Sequence, residues 1–229
     1  MSFGIQIKGD AGQLILDDSN SVLHVLGKGS YTVGAGTNNT ITVSFPFVVT
    51  SQSVPQIFFQ LGAYVGAFEI LGSSGNWTGM RFYPDIGLST AVTRSYIISV
   101  YNPPASAGGW GARIKNASND IVFDAGYPCM RFVYATRSYN RSSTQIAATT
   151  YRWTWGTNAA YSVSGAAYFL ANIFAGTVTD GVAQFDGVYF PNGTAFAGSA
   201  VYNCQITGNN GSSPNFIQPF VYAIPSNEV

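Results

Sequence analysis

The chain has 229 residues, 46% of them hydrophobic and 15% aromatic, while only 9% are charged and 10 Lys+Arg balance 10 Asp+Glu. So large an apolar share excludes a disordered chain, and a net charge of zero argues against a nucleic-acid binder, which needs cations to pair with phosphates. Low charge also fits a surface that packs against other chains, since free soluble proteins usually carry more.

The start, "MSFGIQIKGDAGQ", has no basic end followed by an apolar run, so no secretory signal peptide is expected. It reads instead as a strand, with Phe3, Ile5 and Ile7 on one face and Gln6 and Lys8 on the other. "GDAG" then supplies a tight turn and "LILD" a second arm ending at Asp17. A third arm has apolar Leu23 and Val25 around His24, which is read as a solvent-facing strand residue rather than a catalytic base. "GKGS" at Gly27 lacks the spacing of a phosphate loop and reads as a turn.

Further strands follow. "TITVSFPF" places Ile41, Val43, Phe45 and Phe47 on one face, and Pro46 marks an edge or a strand end because it cannot donate to a ladder. "QIFFQL", "YVGAFEIL" and "SYIISVY" are strands, and "NPPASAGG" from Asn102 is the best linker in the chain. Next comes "WGARIKNASNDIVFD", residues 110 to 124, which repeats residues 3 to 17 at an offset of 107. Gly4/Gly111, Ile7/Ile114, Lys8/Lys115 and Asp17/Asp124 are identical; Phe3/Trp110, Leu14/Ile121, Ile15/Val122 and Leu16/Phe123 match as apolar positions. The third arm repeats too, with Leu23 and Val25 matched by Met130 and Phe132, and His24 by Arg131. A span this long is no solenoid period. Alternation and turn chemistry alone produce part of the match, but the shared Gly, Lys and Asp at fixed offsets favour a duplication that supplies equivalent strands in the two halves of a sandwich.

Beyond it, "TQIAATTYRWTW", "DGVAQFDGVYF" and "FIQPFVYAI" read as strands, while "AAYFLANIFAG" from Ala166 could hold one or two helical turns. That stretch is short and interrupted by Asn172, so no membrane insertion is expected. The fold class is all-β, an antiparallel jelly-roll-like β-sandwich with little or no helix. One β-rich domain over residues 1–229 is expected. The alternative is a sandwich over 1–135, carrying the hairpins 3–26 and 110–133, followed by a second β-rich region over 136–229.

Chemistry is sparse. Cys129 and Cys204 are too few for a disulfide scaffold, and whether they pair is open. One histidine and two distant cysteines do not make a zinc site. Asp17-Asp18 and Asp180/Asp186 could be considered for calcium but read as turn and strand-end residues, so no metal and no cofactor is expected. Glu69, Asp85, Asp180 and Asp186 are a pool for glycoside hydrolysis, yet nothing in their spacing selects a pair, and no enzymatic activity is expected.

Aromatic residues are the stronger signal. Trp77, in "SSGNWTGM", is flanked by turn formers and reads as exposed on a loop. Trp153 and Trp155, in "YRWTW", share a strand face with Tyr151. Such a row can stack on sugar rings or anchor a protein interface, and it can equally fill a core. Arg131, Arg137, Arg141 and Arg152 give a basic bias around "ATRSYNRSS", which reads as a solvated long loop.

The hairpins "FGIQIKGDAGQLILDDSN" and "GWGARIKNASNDIVFDAG", with "LHVLGKGSYTV" after the first, resemble a pattern of small virion proteins of tailed bacteriophages. There a Gly-led strand, a short Asn/Asp/Gly turn and a strand ending in Asp occur near the N-terminus and again midway. The likeness covers roughly residues 3 to 33 and 95 to 135. It implies a tail-tip, baseplate or tail-fibre component, often a homotrimer, that contacts other tail proteins and in some cases a glycan or protein receptor on the host surface. Such a protein is made in the host cytoplasm and resides in the virion. It transfers no functional residue. The alternative is a stand-alone carbohydrate-binding β-sandwich using Trp77 or the Trp153/Trp155 face.

Overall fold

A computed structural model describes residues 6–8, 14–17, 21–37, 39–60, 63, 65–84, 88–107, 111–136, 139–147, 150–157, 162–163, 168–171, 183–189, 196–197, 201–207 and 220–225. Among them every regular element is a β-strand and every pairing is antiparallel, as the Val-, Ile-, Thr- and aromatic-rich segments between Gly and Asn turns require.

In chain order the first half has β1 (Gln6–Lys8), β2 (Leu14–Asp17), β3 (His24–Val33), β4 (Ile41–Val49), β5 (Gln56–Gln60), β6 (Gly66–Ser73), β7 (Asn76–Tyr83) and β8 (Val92–Val100). The second begins with β9 (Arg113–Lys115), β10 (Ile121–Asp124), β11 (Met130–Thr136), β12 (Tyr139–Ala147) and β13 (Thr150–Thr157). It continues with β14 (Ser162–Val163), β15 (Tyr168–Leu170), β16 (Ala183–Tyr189), β17 (Phe196–Ala197), β18 (Val201–Thr207) and β19 (Phe220–Pro225).

The repeat in the sequence is a repeat in the structure. In β1–β2, Gln6 pairs with Asp17, Ile7 with Leu16 and Lys8 with Leu14; in β9–β10, Arg113 pairs with Asp124, Ile114 with Phe123 and Lys115 with Ile121. Each pair is shifted by the same 107 residues, and the ladder slips at the same place in both hairpins. The third arms agree as well. β3 slips against β8 between Val25 and Gly27, and β11 slips against β19 between Phe132 and Tyr134. Matching bulges at matching positions are not produced by amphipathic alternation alone. They mark a duplicated unit.

Strand order extends the duplication beyond the hairpins. The first half orders β3-β8-β5 in one sheet and β4-β7-β6 in another. The second orders β11-β19-β15 and β13-β18-β16, with β12 added outside β13. β5 and β15 join the halves edge to edge through Phe58↔Leu170, Phe59↔Phe169 and Gln60↔Tyr168, giving a six-stranded sheet, β11-β19-β15-β5-β8-β3. Its outer strands curl round to meet: Met130 N donates to Leu23 O (2.7 Å), Val25 N donates to Pro128 O (2.7 Å), and His24 lies opposite Cys129. Leu23 and Met130 are equivalent residues of the two repeats, so a local two-fold relates the halves.

This sheet is apolar on both faces. Leu23, Val25, Phe58, Ile97, Met130, Tyr168 and Ala223 form one cluster, drawn from all six strands or the residue leading into one. On the other face Tyr31, Ile57, Phe59, Tyr96 and Ile98 pack with Val43, Phe45, Phe68, Met80 and Phe82 of the three-stranded sheet. The ring of Phe82 meets Tyr31 at 5.1 Å and Phe59 at 5.0 Å, both edge to face. Phe59 also stacks on Phe169 of the other half, at 6.0 Å. Close packing sets glycine positions too: a Cβ on Gly29 would lie 2.2 Å from the Tyr96 ring.

Three readings of the sequence need correction here. "GKGS" is not a turn: Gly27–Ser30 continue β3 and pair with β8, with Gly29 leaving room for the Tyr96 ring. "TQIAATTYRWTW" is not one strand but a hairpin, β12 turning into β13, and the "ATRSYNRSS" stretch lies mainly in strands β11 and β12 rather than in a long loop. Tyr168–Leu170 within "AAYFLANIFAG" is strand, not helix, because it bridges β5 and β19; residues 172–176 lie outside the described residues.

Phe59 serves both halves, so Phe59→Ala should cost about 3–5 kcal/mol, as large core truncations do. In urea titrations followed by fluorescence and circular dichroism, both signals should shift together to a lower midpoint.

Candidate functional site

The densest polar constellation among the described residues lies where the curled sheet meets the second hairpin. The β9–β10 turn is built by Asn116, whose Oδ1 accepts from Ser118 N (3.0 Å) and Asp120 N (2.9 Å). Asn119 supplies the left-handed residue, φ 67°, which asparagine tolerates because its side chain is short and polar. Lys115 Nζ donates to Asn119 Oδ1 at 2.9 Å across the hairpin.

Asp124, the last residue of β10, is buried and its carboxylate accepts four hydrogen bonds. Oδ1 takes Ser106 Oγ–H (2.8 Å) and Gly126 N–H (2.9 Å); Oδ2 takes Ser106 N–H (3.0 Å) and Arg113 Nε–H (2.8 Å). Arg113 also reaches Ser106 O at 3.2 Å. Linker, β9, β10 and the following turn are thereby tied to one anion. Burial pushes the Asp124 carboxyl up, but the bonds from Ser106, Gly126 and Arg113 outweigh it and hold the group well below the usual carboxylate range.

The backbone N–H of Asp124 donates to His24 Nε2 at 3.0 Å. His24 is fully buried, with the rings of Phe123 and Tyr127 at 6.1 and 6.4 Å. This corrects the expectation of a solvent-facing residue. The polar residue between Leu23 and Val25 does not face water because the second hairpin covers it. Burial lowers the His24 pKa; backbone contacts with Val22 and Tyr101 and the Asp124 charge pull the other way without prevailing. An acceptor on Nε2 requires the neutral ring with its proton on Nδ1. Its basic nitrogen is thus occupied and sealed from solvent, which suits a structural joint and not proton transfer to a substrate.

The aromatic candidates are not brought together with this cluster. Trp77 lies in strand β7, not on an exposed loop: it is half-buried against the core, and its Nε1–H donates to Ser51 O at 2.9 Å. The turn before it, Ser74–Gly75, is what the sequence reading detected. Tyr151, Trp153 and Trp155 lie in β13, an inner strand of the four-stranded sheet, where they pair with Gln145, Ser143 and Arg141 of β12 and with Ile206, Cys204 and Tyr202 of β18. Their side chains lie outside what is described, as do Asp18, Asp85 and Asp180. Glu69 is exposed and bonded by Arg81 Nε at 3.0 Å.

Among the described residues no group of three or more His, Cys, Asp or Glu is placed to hold a metal ion, and no helix is long and apolar enough to cross a membrane. Comparisons with protein-family models, curated proteins and solved structures find no match to this chain.

Sequence reasoning singled out Asp124 as a repeated position but missed Ser106 and Arg113. The usable signal was Gly126, two residues on, where an Asp commonly closes a turn through its own side chain. Because the Asp124 pKa is depressed in the fold, its stabilisation is present above about pH 3.8, the unfolded value, and is lost as pH falls below it. Asp124→Asn should cost about 3 kcal/mol, since Arg113 and Ser106 lose a buried anion, and should flatten that acid limb in urea midpoints measured against pH.

Proposed function

We propose that the chain is a non-enzymatic structural component of a bacteriophage tail, at the tip, baseplate or fibre, which packs against copies of itself and neighbouring tail proteins. Contact with the bacterial surface by its outward parts belongs to the same reading. The resemblance of the duplicated hairpin supports the tail class.

The observation that carries the assembly role is the edge of β4. Residues 40–56 contain no charged side chain, although natural sheet edges are usually guarded by charge. Between Ser44 and Val49 the β4–β7 ladder is interrupted, and Phe47 and Val48 are 39% and 53% exposed, with Val54 of the next loop 44% exposed. The equivalent strand of the second half, β13, has its corresponding edge covered by β12. A copy or neighbour supplying a strand to β4 would complete the first half as β12 completes the second. The carbohydrate-binding reading draws less support, since the Trp77 indole is half-buried with its N–H committed to Ser51.

Light scattering behind a sizing column tests the assembly role. The wild type should run as a stable trimer, and Val48→Lys, which puts a charge on the exposed edge, should dissociate it while circular dichroism stays unchanged. A wild-type monomer at micromolar concentration, or a trimer indifferent to Val48→Lys and Phe47→Glu, would overturn the role assigned to β4.

A further inference from the structure

We propose that His24 is an acid-sensitive latch: a proton from solvent taken up on its Nε2 ejects the Asp124 N–H and opens the joint between the second hairpin and the two meeting edges of the curled sheet. The geometry makes His24 the one titratable member of that joint's hydrogen-bond set. Four described bonds fasten it. Three are backbone to backbone and indifferent to pH: Val22 N to Val122 O (3.1 Å), Val25 N to Pro128 O (2.7 Å) and Met130 N to Leu23 O (2.7 Å). The fourth is Asp124 N to His24 Nε2.

The groups around the ring determine what protonation does. From β10 comes the Asp124 carboxylate, from β9 the Arg113 guanidinium bonded to it, from the segment before β11 Tyr127 and Cys129, and from beyond β8 Tyr101. The carboxylate is the natural counter-ion for an imidazolium. Its two oxygens, however, are already engaged by Ser106, Gly126 and Arg113. A proton on Nε2 would set two donors against each other at 3.0 Å, in a site where His24 has no exposed surface. Backbone contacts at Val22 and Tyr101 favour the charged ring without offsetting its burial. Relief comes by parting hairpin from strand, which hydrates the ring.

The sign follows from burial. The folded-state pKa of His24 lies below 6.5, so the latch is fully closed above that value. Its contribution declines as pH falls below 6.5 towards the folded pKa. Asp124 loses its own contribution only in the more acid window below about 3.8, so the two limbs are separable.

Amide hydrogen exchange, corrected for the intrinsic pH dependence, tests the latch. Between about pH 7 and about pH 5, protection of the Asp124, Val25 and Met130 amides should fall by up to about tenfold per pH unit, while that of Phe58 and Ile97 in the sheet should hold. His24→Gln keeps an acceptor, Oε1, without a titrating group, and should remove the pH dependence of those three amides. Identical profiles for wild type and His24→Gln, or constant wild-type protection, would overturn the proposal. Should His24→Gln fail to fold, the ¹⁵N shift of wild-type Nε2 decides: it must titrate together with the loss of Asp124 protection, and a ring that stays neutral while protection falls would overturn the latch.

Discussion

An unpaired strand edge is a row of backbone donors and acceptors that must find partners or water, and most of this architecture follows from how the edges are disposed. Each half alone would leave a three-stranded sheet, β3-β8-β5 or β11-β19-β15, with two open edges. Pairing β5 with β15 removes one edge from each half. Curling the joined sheet until Leu23 meets Met130 closes part of the other two. Equivalent residues of the two repeats, Leu23 and Met130, face each other at that closure. The curl also gives the sheet an inside, where Phe58, Ile97 and Met130 gather, in addition to the outer face covered by β4-β7-β6.

Duplication supplies the frame, and divergence between the copies supplies the asymmetry. Arg113 replaces Gln6 beside the shared aspartate, so only the second hairpin can close an Arg–Asp bridge of this kind. His24 is buried beneath that hairpin, whereas its counterpart Arg131 is exposed. Val25 is buried and its counterpart Phe132 is 52% exposed. A guanidinium has no acceptor, so the bond that Asp124 N–H makes to His24 has no equivalent at Arg131. At the outer sheets the asymmetry runs the other way, since among the described residues β12 covers the second half and β4 is left at an edge. One repeat is thus locked internally, and the other offers an uncharged strand to its surroundings.

Two strands read from the sequence lack alternation for one physical reason. "QIFFQ" and "YIISV" lack alternation because both faces of the curled sheet are buried, and a strand covered on both sides selects a continuous apolar run. "TITVSFPF" does alternate, yet Phe47 does not join Val43, Phe45 and Val49 in the core: it lies in the stretch between Ser44 and Val49 where the ladder to β7 is interrupted. Trp77 was misjudged from its flanking turn formers: the turn ends at Gly75, two residues before it, and the indole folds back onto Ser51.

From the sequence alone, the all-β class, the two hairpins, their 107-residue offset, an edge or strand end at Pro46 and the loop at Asn102 could all be determined. These depend on local matters: alternation, turn chemistry and the missing donor of proline. Only the tertiary structure decided that the hairpins belong to two reciprocally related halves, that His24 lies inside rather than outside, and that Ser106 and Arg113 meet at Asp124. Those outcomes depend on contacts between residues about a hundred positions apart, such as His24 with Asp124. No local pattern carries such information, because a polar residue between two apolar ones looks the same whether water or a second hairpin covers it.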